Sequence, residues 1–189
     1  MKKILRTGLF AASLLVSPLA HAADTYTLDA SHTAVTWTIS HFDFSHPWGK
    51  FAMIDGSLTL DEKNPANSKL SVTVPMDHIV TGVDKLDEHL KSDAFFDVAK
   101  YPTSTFTSTK VTVTGKDTAT VEGNLTMHGV TRPETLEVKL NKLGENMMKK
   151  KTAGFSATAT VKRSDFGITQ YLPMLGDEVK LYIECEANI

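Results

Sequence analysis

From residue 35 to residue 187, apolar side chains return at every second position in one run after another. Val35, Trp37 and Ile39 alternate with Thr36, Thr38 and Ser40; Leu58 and Leu60 with Ser57, Thr59 and Asp61; Leu70, Val72 and Val74 with Ser71, Thr73 and Pro75. The period continues through 103–114, 118–128, 134–142 (Leu136, Val138, Leu140), 153–163 (Phe155, Ala157, Ala159, Val161) and 178–187. A period of two is that of a strand with one apolar face. The separators are Glu62 to Asn67, Gly115-Lys116-Asp117, His128-Gly129-Val130 through Arg132-Pro133, and a stretch opening at Gly144. Connections this short join antiparallel neighbours. Eight such strands make either a closed barrel or a two-sheet sandwich.

The residues on those strands favour the barrel. The core of a sandwich is filled at near-crystalline density by large side chains. Here the run "TSTFTSTKVTVT" sets Thr and Ser around a single Phe106, and Ala157 and Ala159 are small. Small or polar inward faces leave room, which predicts a barrel with a cavity.

One segment breaks the pattern. In "DKLDEHLKSDAFFDVAKYP" (84–102), Val83, Leu86 and Leu90 share one helical face, while Asp84, Lys85, Asp87, Glu88 and Lys91 take the others. Ser92-Asp93 is placed to cap a second short helix carrying Phe95, Phe96 and Val98, and Pro102 stops it. A helical insertion between the third and fourth strands must lay its apolar face on the barrel mouth. It is there either as a plug completing the core or as a lid lending Leu86, Leu90, Phe95 and Phe96 to a lipid pocket.

The N-terminus has a different purpose. Lys2, Lys3 and Arg6 precede an apolar run to Leu19, and Ala20-His21-Ala22 fits a small-x-small cleavage site. Residues 1–22 therefore read as a secretory signal peptide cut after Ala22, with one domain over 23–189 exported to the periplasm. The apolar run is too short to span a bilayer, so no stable membrane insertion is expected. Cleavage removes three of the 20 basic residues and none of the 22 acidic ones, leaving a net charge of −5. That balance argues against nucleic acid as a partner. The single cysteine, Cys185, forbids an intrachain disulfide and continues the apolar phase of Val179, Leu181 and Ile183.

A series of short blocks then becomes recognisable. Tyr26-Thr27-Leu28-Asp29 is followed by Ser31-His32-Thr33, then His41, Gly49-Lys50-Phe51 and Asp55-Gly56. Leu86-Asp87-Glu88-His89-Leu90 leads to Ser92-Asp93-Ala94-Phe95-Phe96-Asp97, Tyr101-Pro102 and Thr105 to Thr109. Gly123 to Thr131 and Arg163-Ser164-Asp165-Phe166-Gly167-Ile168 complete the series. In this order and spacing, over essentially the whole chain after the leader, it resembles the YceI-like family of secreted bacterial lipid-binding (polyisoprenoid-binding) proteins. The resemblance implies an all-β, eight-stranded, antiparallel, lipocalin-like barrel, often a homodimer. It also implies an isoprenoid, quinone-like or similar amphiphilic lipid as ligand rather than a cofactor. Two departures stand out: Thr33 replaces a Ser, and Leu86 stands where the family carries Arg, removing a bidentate donor for a polar head group.

Binding residues are expected among the aromatics, Trp37, Phe42, Phe44, Trp48, Phe51, Phe106, Phe155 and Phe166, and on the helical insertion at Leu86, His89, Leu90, Phe95 and Phe96. "FDFSHPWGKF" (42–51) reads as one mouth loop. "FGITQYLPML" (166–175), with Ile168, Leu172, Met174 and Leu175, reads as the other, too apolar to be only a solvated loop. Catalysis and metal binding are not expected. Asp87 and His89, at i and i+2, do not face each other on a helix. His32, His41 and His46 show no dense ligand cluster in sequence, and Asp165-Phe166-Gly167 lacks the companion motifs of a kinase. The reading is a non-enzymatic carrier or sequestering protein. Its rivals are an enzyme acting on a lipid or quinone and a stress-protective interaction protein.

Overall fold

The computed structural model describes residues 23–189; the leader, residues 1–22, lies outside the described residues. Eleven strands form one sheet: β1 (Asp24–Leu28), β2 (Ala34–His41), β3 (Trp48–Phe51), β4 (Asp55–Leu60), β5 (Lys69–Pro75), β6 (Ile79–Val80), β7 (Thr103–Val113), β8 (Thr118–Met127), β9 (Val130–Glu145), β10 (Lys151–Lys162) and β11 (Leu175–Asn188). All pairings are antiparallel. β1 and β2 lie end to end along β11, with Leu28 opposite Ala187 and Val35 opposite Ile183. β4 and β3 pair with β1 and β2 in turn, and β5 and β6 with β4 and β3. The first six short strands are thus three long ones, each interrupted once. With β7 to β11 they make an eight-strand, up-and-down barrel, closed by the pairing of β1 with β11. Closure leaves no exposed sheet edge along the ring.

The interruptions have local causes. Between β1 and β2 the Asp29 carboxylate accepts from the backbone N–H and the hydroxyl of Ser31, and holds the His32 Nδ1 at 2.9 Å. This turn replaces ladder bonds with side-chain ones. Between β3 and β4, Met53 takes φ of 55°, and a short 3₁₀ turn at Met76–His78 parts β5 from β6.

β9 and β11 run for 16 and 14 residues. At about 3.3 Å per residue they span roughly 50 Å, so the barrel is tall. Its interior is filled at two levels. At the end away from the insertion Tyr26, Leu28, Ile54, Leu58, Ala153 and Ala187 form one buried cluster. At the other end Phe51, Met76, Ile79, Leu90, Phe95 and Ile168 form a second.

The insertion joins β6 to β7, the third long strand to the fourth, as its sequence implies. Its helix, α1 (Asp84–Lys91), is a single element of 8 residues. Acidic Asp84 and Asp87 sit in its first turn and His89 and Lys91 in its last, complementing the helix dipole. Asp87 also accepts from the Thr81 N–H at 2.8 Å, tying the helix to the end of β6. The second helix expected after Ser92 does not form. The chain instead makes consecutive turns, with Asp97 at φ 46° and Phe96 N–H donating to the Leu90 carbonyl. These turns fold Phe95 and Phe96 back over the barrel end. Among the described residues no helix is long and apolar enough to cross a membrane.

Candidate functional site

Between the two buried clusters lies a cavity of about 800 Å³. That is towards the upper end of the range in which pockets hold drug-sized ligands. Its wall is built from the inward phase of the strands: Val35, Trp37 and Ile39 of β2, Leu70, Val72 and Val74 of β5, Leu125 and Met127 of β8, and Val179, Leu181 and Ile183 of β11. Of the two small residues read from sequence on β10, Ala159 lines the cavity and Ala157 does not. Gly123 leaves the space its side chain would fill to the ring of Phe106, which a Cβ there would meet at 2.4 Å.

The mouth is where wall residues are also in solvent. Phe42, Leu86 and Tyr171 line the cavity and are 37%, 36% and 46% exposed. They come from the β2–β3 loop, from α1 and from the β10–β11 connection, all at one end of the barrel. Rings bridge these elements: His89 meets Phe95 edge-on at 5.1 Å, and Tyr171 lies 6.3 Å from His89 and 6.2 Å from Phe95. Phe51 and Phe96 make a second edge-on pair at 5.5 Å. The insertion is therefore plug and wall together. Leu90 and Phe95 are buried in the upper cluster, and Leu86, His89, Leu90, Phe95 and Phe96 all line the cavity.

Eleven of the residues singled out from sequence stand on this wall: Trp37, Phe42, Phe51, Leu86, His89, Leu90, Phe95, Phe96, Phe106, Ile168 and Leu175. Six do not. Phe44, in the β2–β3 loop, and Trp48, on the outward phase of β3, are 91% and 62% exposed and stand outside the cavity. Met174, in the β10–β11 connection, also faces solvent. Phe166 is fully buried in the 3₁₀ turn that follows β10 and packs as core. Phe155 has the inward phase and packs against the lower cluster, but it is not on the wall, although its cross-strand partner Cys185 is. Leu172, in the same connection as Tyr171, is not on the wall either.

Other wall residues were not anticipated. Ile54, Met76, Tyr171 and Cys185 are among them, and so are two charged ones, Glu134 and Arg163. Glu134 shares the inward phase of Leu136 and Val138, which was its only signal. Burial pushes its carboxyl up from the usual range, with a smaller push from Asp165. Arg163 is 5% exposed and donates from Nε to the Gly176 carbonyl at 2.8 Å, from Nη1 to Ile168 at 3.0 Å and from Nη2 to Leu175 at 2.9 Å. Its burial, only partly offset by Asp177, lowers its guanidinium from the ordinary value. It binds carbonyls rather than a carboxylate, and so folds the β10–β11 connection over the mouth. Cys185 is on the deep wall, where burial pushes its thiol up to about 11, so it is an apolar surface and not a thiolate at neutral pH.

The histidines separate. His41 and His89 line the cavity, and the His128 Nδ1 sits 3.0 Å from the Phe166 carbonyl. Among the described residues, one group brings potential metal-ligand atoms together: Asp29, His32 and Glu186, within 4.8 Å. None of the three lines the cavity, and His32 Nδ1 is already engaged by Asp29. The hydrogen bond it donates to Asp29, and then the Asp29 charge, raise the His32 imidazole above its ordinary 6.5; hydrogen bonds from Ser31 and His32 hold the Asp29 carboxyl well below the usual range. The favourable pair is complete between these limits, lost as pH rises through the His32 value and as it falls through that of Asp29. In Asp29→Asn the His32 titration followed by NMR is expected to fall towards 6.5, leaving only the smaller influence of Glu186. A midpoint unchanged by the substitution would remove the pair as its cause.

Comparison with known proteins agrees with this architecture. The protein YceI of Salmonella newport is 42% identical over 188 residues, covering 98% of this chain and 97% of its own. BcnA of Burkholderia cenocepacia superposes with a TM-score of 0.76 at 20% identity, over 84% of this chain and 98% of its own. A polyisoprenoid binding domain from Saccharophagus degradans gives 0.66 at 16% identity, over 89% and 99%. At those identities the two structures speak for the fold alone. The model of the YceI-like domain matches residues 26–187, the span of the closed barrel from β1 to β11, and the chain belongs to that family.

Proposed function

We propose that the protein binds a long-chain isoprenoid or similar amphiphilic lipid inside the barrel, as a carrier or store in the periplasm and without chemistry on its cargo. The observation that carries this reading is the cavity itself, about 800 Å³ and walled almost wholly by aliphatic and aromatic side chains. Apolar burial at about 0.8 kcal/mol per methylene is enough to hold a long chain there. Three polar groups of the wall, His41, Ser45 and His89, belong to the elements at the opening and suit the orientation of one head group. The name of the Saccharophagus degradans relative points the same way. Periplasmic residence rests on the leader read in residues 1–22.

The test is mass spectrometry of organic extracts from mature protein purified from its native periplasm without detergent. One long-chain prenyl lipid near one per chain is the expected result. Protein that emerges empty, and takes up no prenyl alcohol from solution, overturns the reading.

A further inference from the structure

Large apolar side chains are exposed at both ends of the barrel, with Val113, Met147 (101%), Met148 (72%) and Ile189 at the far end and a larger group around the opening. Phe44 (91%), Trp48 (62%), Val83 (57%), Met174 (57%), Tyr171 (46%) and Leu86 (36%) all belong to the end of the barrel where the cavity opens. They come from three separate stretches of chain that adjoin one another. Phe42 N–H donates to the Met174 carbonyl, Tyr171 lies over His89 of α1, and a Cβ on Gly49 would stand 3.1 Å from Thr81. Single exposed hydrophobes need no explanation, but a ring of them around one opening does.

We infer that this rim is a membrane-docking surface that seats the open end of the barrel on a zwitterionic bilayer. The inference rests on the lipid-carrier reading, and it concerns residues outside the binding wall: Phe44, Trp48 and Met174 do not line the cavity. A cargo with negligible solubility in water has to enter through this opening, so the phase that supplies it is the one the rim must meet. Phe44 and Tyr171 belong to connections and Trp48 to the outward phase of β3, and exposed aromatic side chains at one end suit the interfacial layer of a bilayer. Charge selects the kind of surface. The outer faces of α1 carry Asp84 and Glu88 beside Lys85 and Lys91, and Asp43 adjoins Phe44, so the rim has no excess of cations to draw it to anionic lipid. A second copy is a poorer occupant. Two-fold pairing across this face would seal the opening through which the cargo has to pass.

The mature chain and the variant Phe44→Ser/Trp48→Ser are compared by flotation with phosphatidylcholine vesicles. Both positions are exposed and off the cavity wall, so the barrel and its uptake of a prenyl alcohol in vesicle-free solution remain. The native chain is expected to float, with partitioning little changed by added phosphatidylglycerol or by salt, and the variant to partition about 100-fold less. A native chain that does not float, or a variant that floats equally well, overturns the inference. So does a concentration-dependent dimer, seen by ultracentrifugation, that the double substitution abolishes while leaving flotation unchanged. Uptake of the prenyl alcohol is a separate signal: its absence from both chains counts against the carrier reading and leaves the flotation result to be read independently.

Discussion

Ala159→Trp is expected to empty the barrel without unfolding it. Ala159 stands on the cavity wall in register with Leu181 of β11, which also lines the cavity. An indole there projects about 200 Å² of aromatic surface into free space. Overpacking is costly where a core is already dense, and this one is not, so the thermal midpoint is expected to hold. The ligand loses the space instead. Excluding about three methylenes removes roughly 2.4 kcal/mol of apolar burial, or about 50-fold in affinity. The measurement is a titration with a fluorescent prenyl alcohol beside a thermal melt. Affinity unchanged in a protein that melts like the native one would place the lipid elsewhere than in this cavity. A matching loss of stability and binding would mean that the space is smaller than the geometry indicates.

The sequence made the faces of the strands legible but not their heights. Phe155 and Ala159 share one phase on β10, yet Phe155 packs against the lower cluster and Ala159 borders the cavity. Alternation reports which side of the sheet a residue takes and carries no information about how far along the barrel axis it lies. The breaks in the first three long strands were illegible for a related reason. β3 and β6 are 4 and 2 residues long and exist because β2 and β3 hold them in register, a non-local cause. The stretch from Phe42 to Phe51 consequently read as a single loop, although Trp48 to Phe51 is strand. The aromatics of that stretch were read as a group, and the fold divided them: Phe42 and Phe51 to the wall, Phe44 and Trp48 to the rim. The helical insertion was visible because Val83, Leu86 and Leu90 depart so clearly from a period of two. Its continuation was not, since the turns after Ser92 are set by backbone bonds to Leu90 and Lys91 rather than by a pattern of side chains.

Arg163 was read only as the first residue of a block, and replacing it is expected to have the largest effect on stability in this protein. Arg163→Met leaves the carbonyls of Ile168, Leu175 and Gly176 without the guanidinium that now serves all three. A buried acceptor left unmet costs about 1–3 kcal/mol, and losing the burial cost of the cation returns part of the sum. A net loss of about 3 kcal/mol corresponds to roughly 10 °C in the melt of a chain this size. Arg163→Lys is expected to recover little, because one ammonium cannot reach carbonyls that a planar fork spans. The damage should also be local. Ser164 remains bound to Asp177 through its N–H at 2.9 Å and its hydroxyl at 2.7 Å, so the start of the connection stays anchored while 168–176 loosens. Ile168, Tyr171 and Leu175 of that segment line the cavity, so its loosening opens the wall beside the mouth and lipid should dissociate faster. Hydrogen exchange can separate this from a general weakening of the barrel. The amides of Leu172 and Leu175, now bonded to Thr169 and Tyr171, should lose protection ahead of those in β10 and in the rest of β11. Protection lost evenly across the strands would make Arg163 an ordinary core residue and leave the mouth to be held by its aromatic contacts alone.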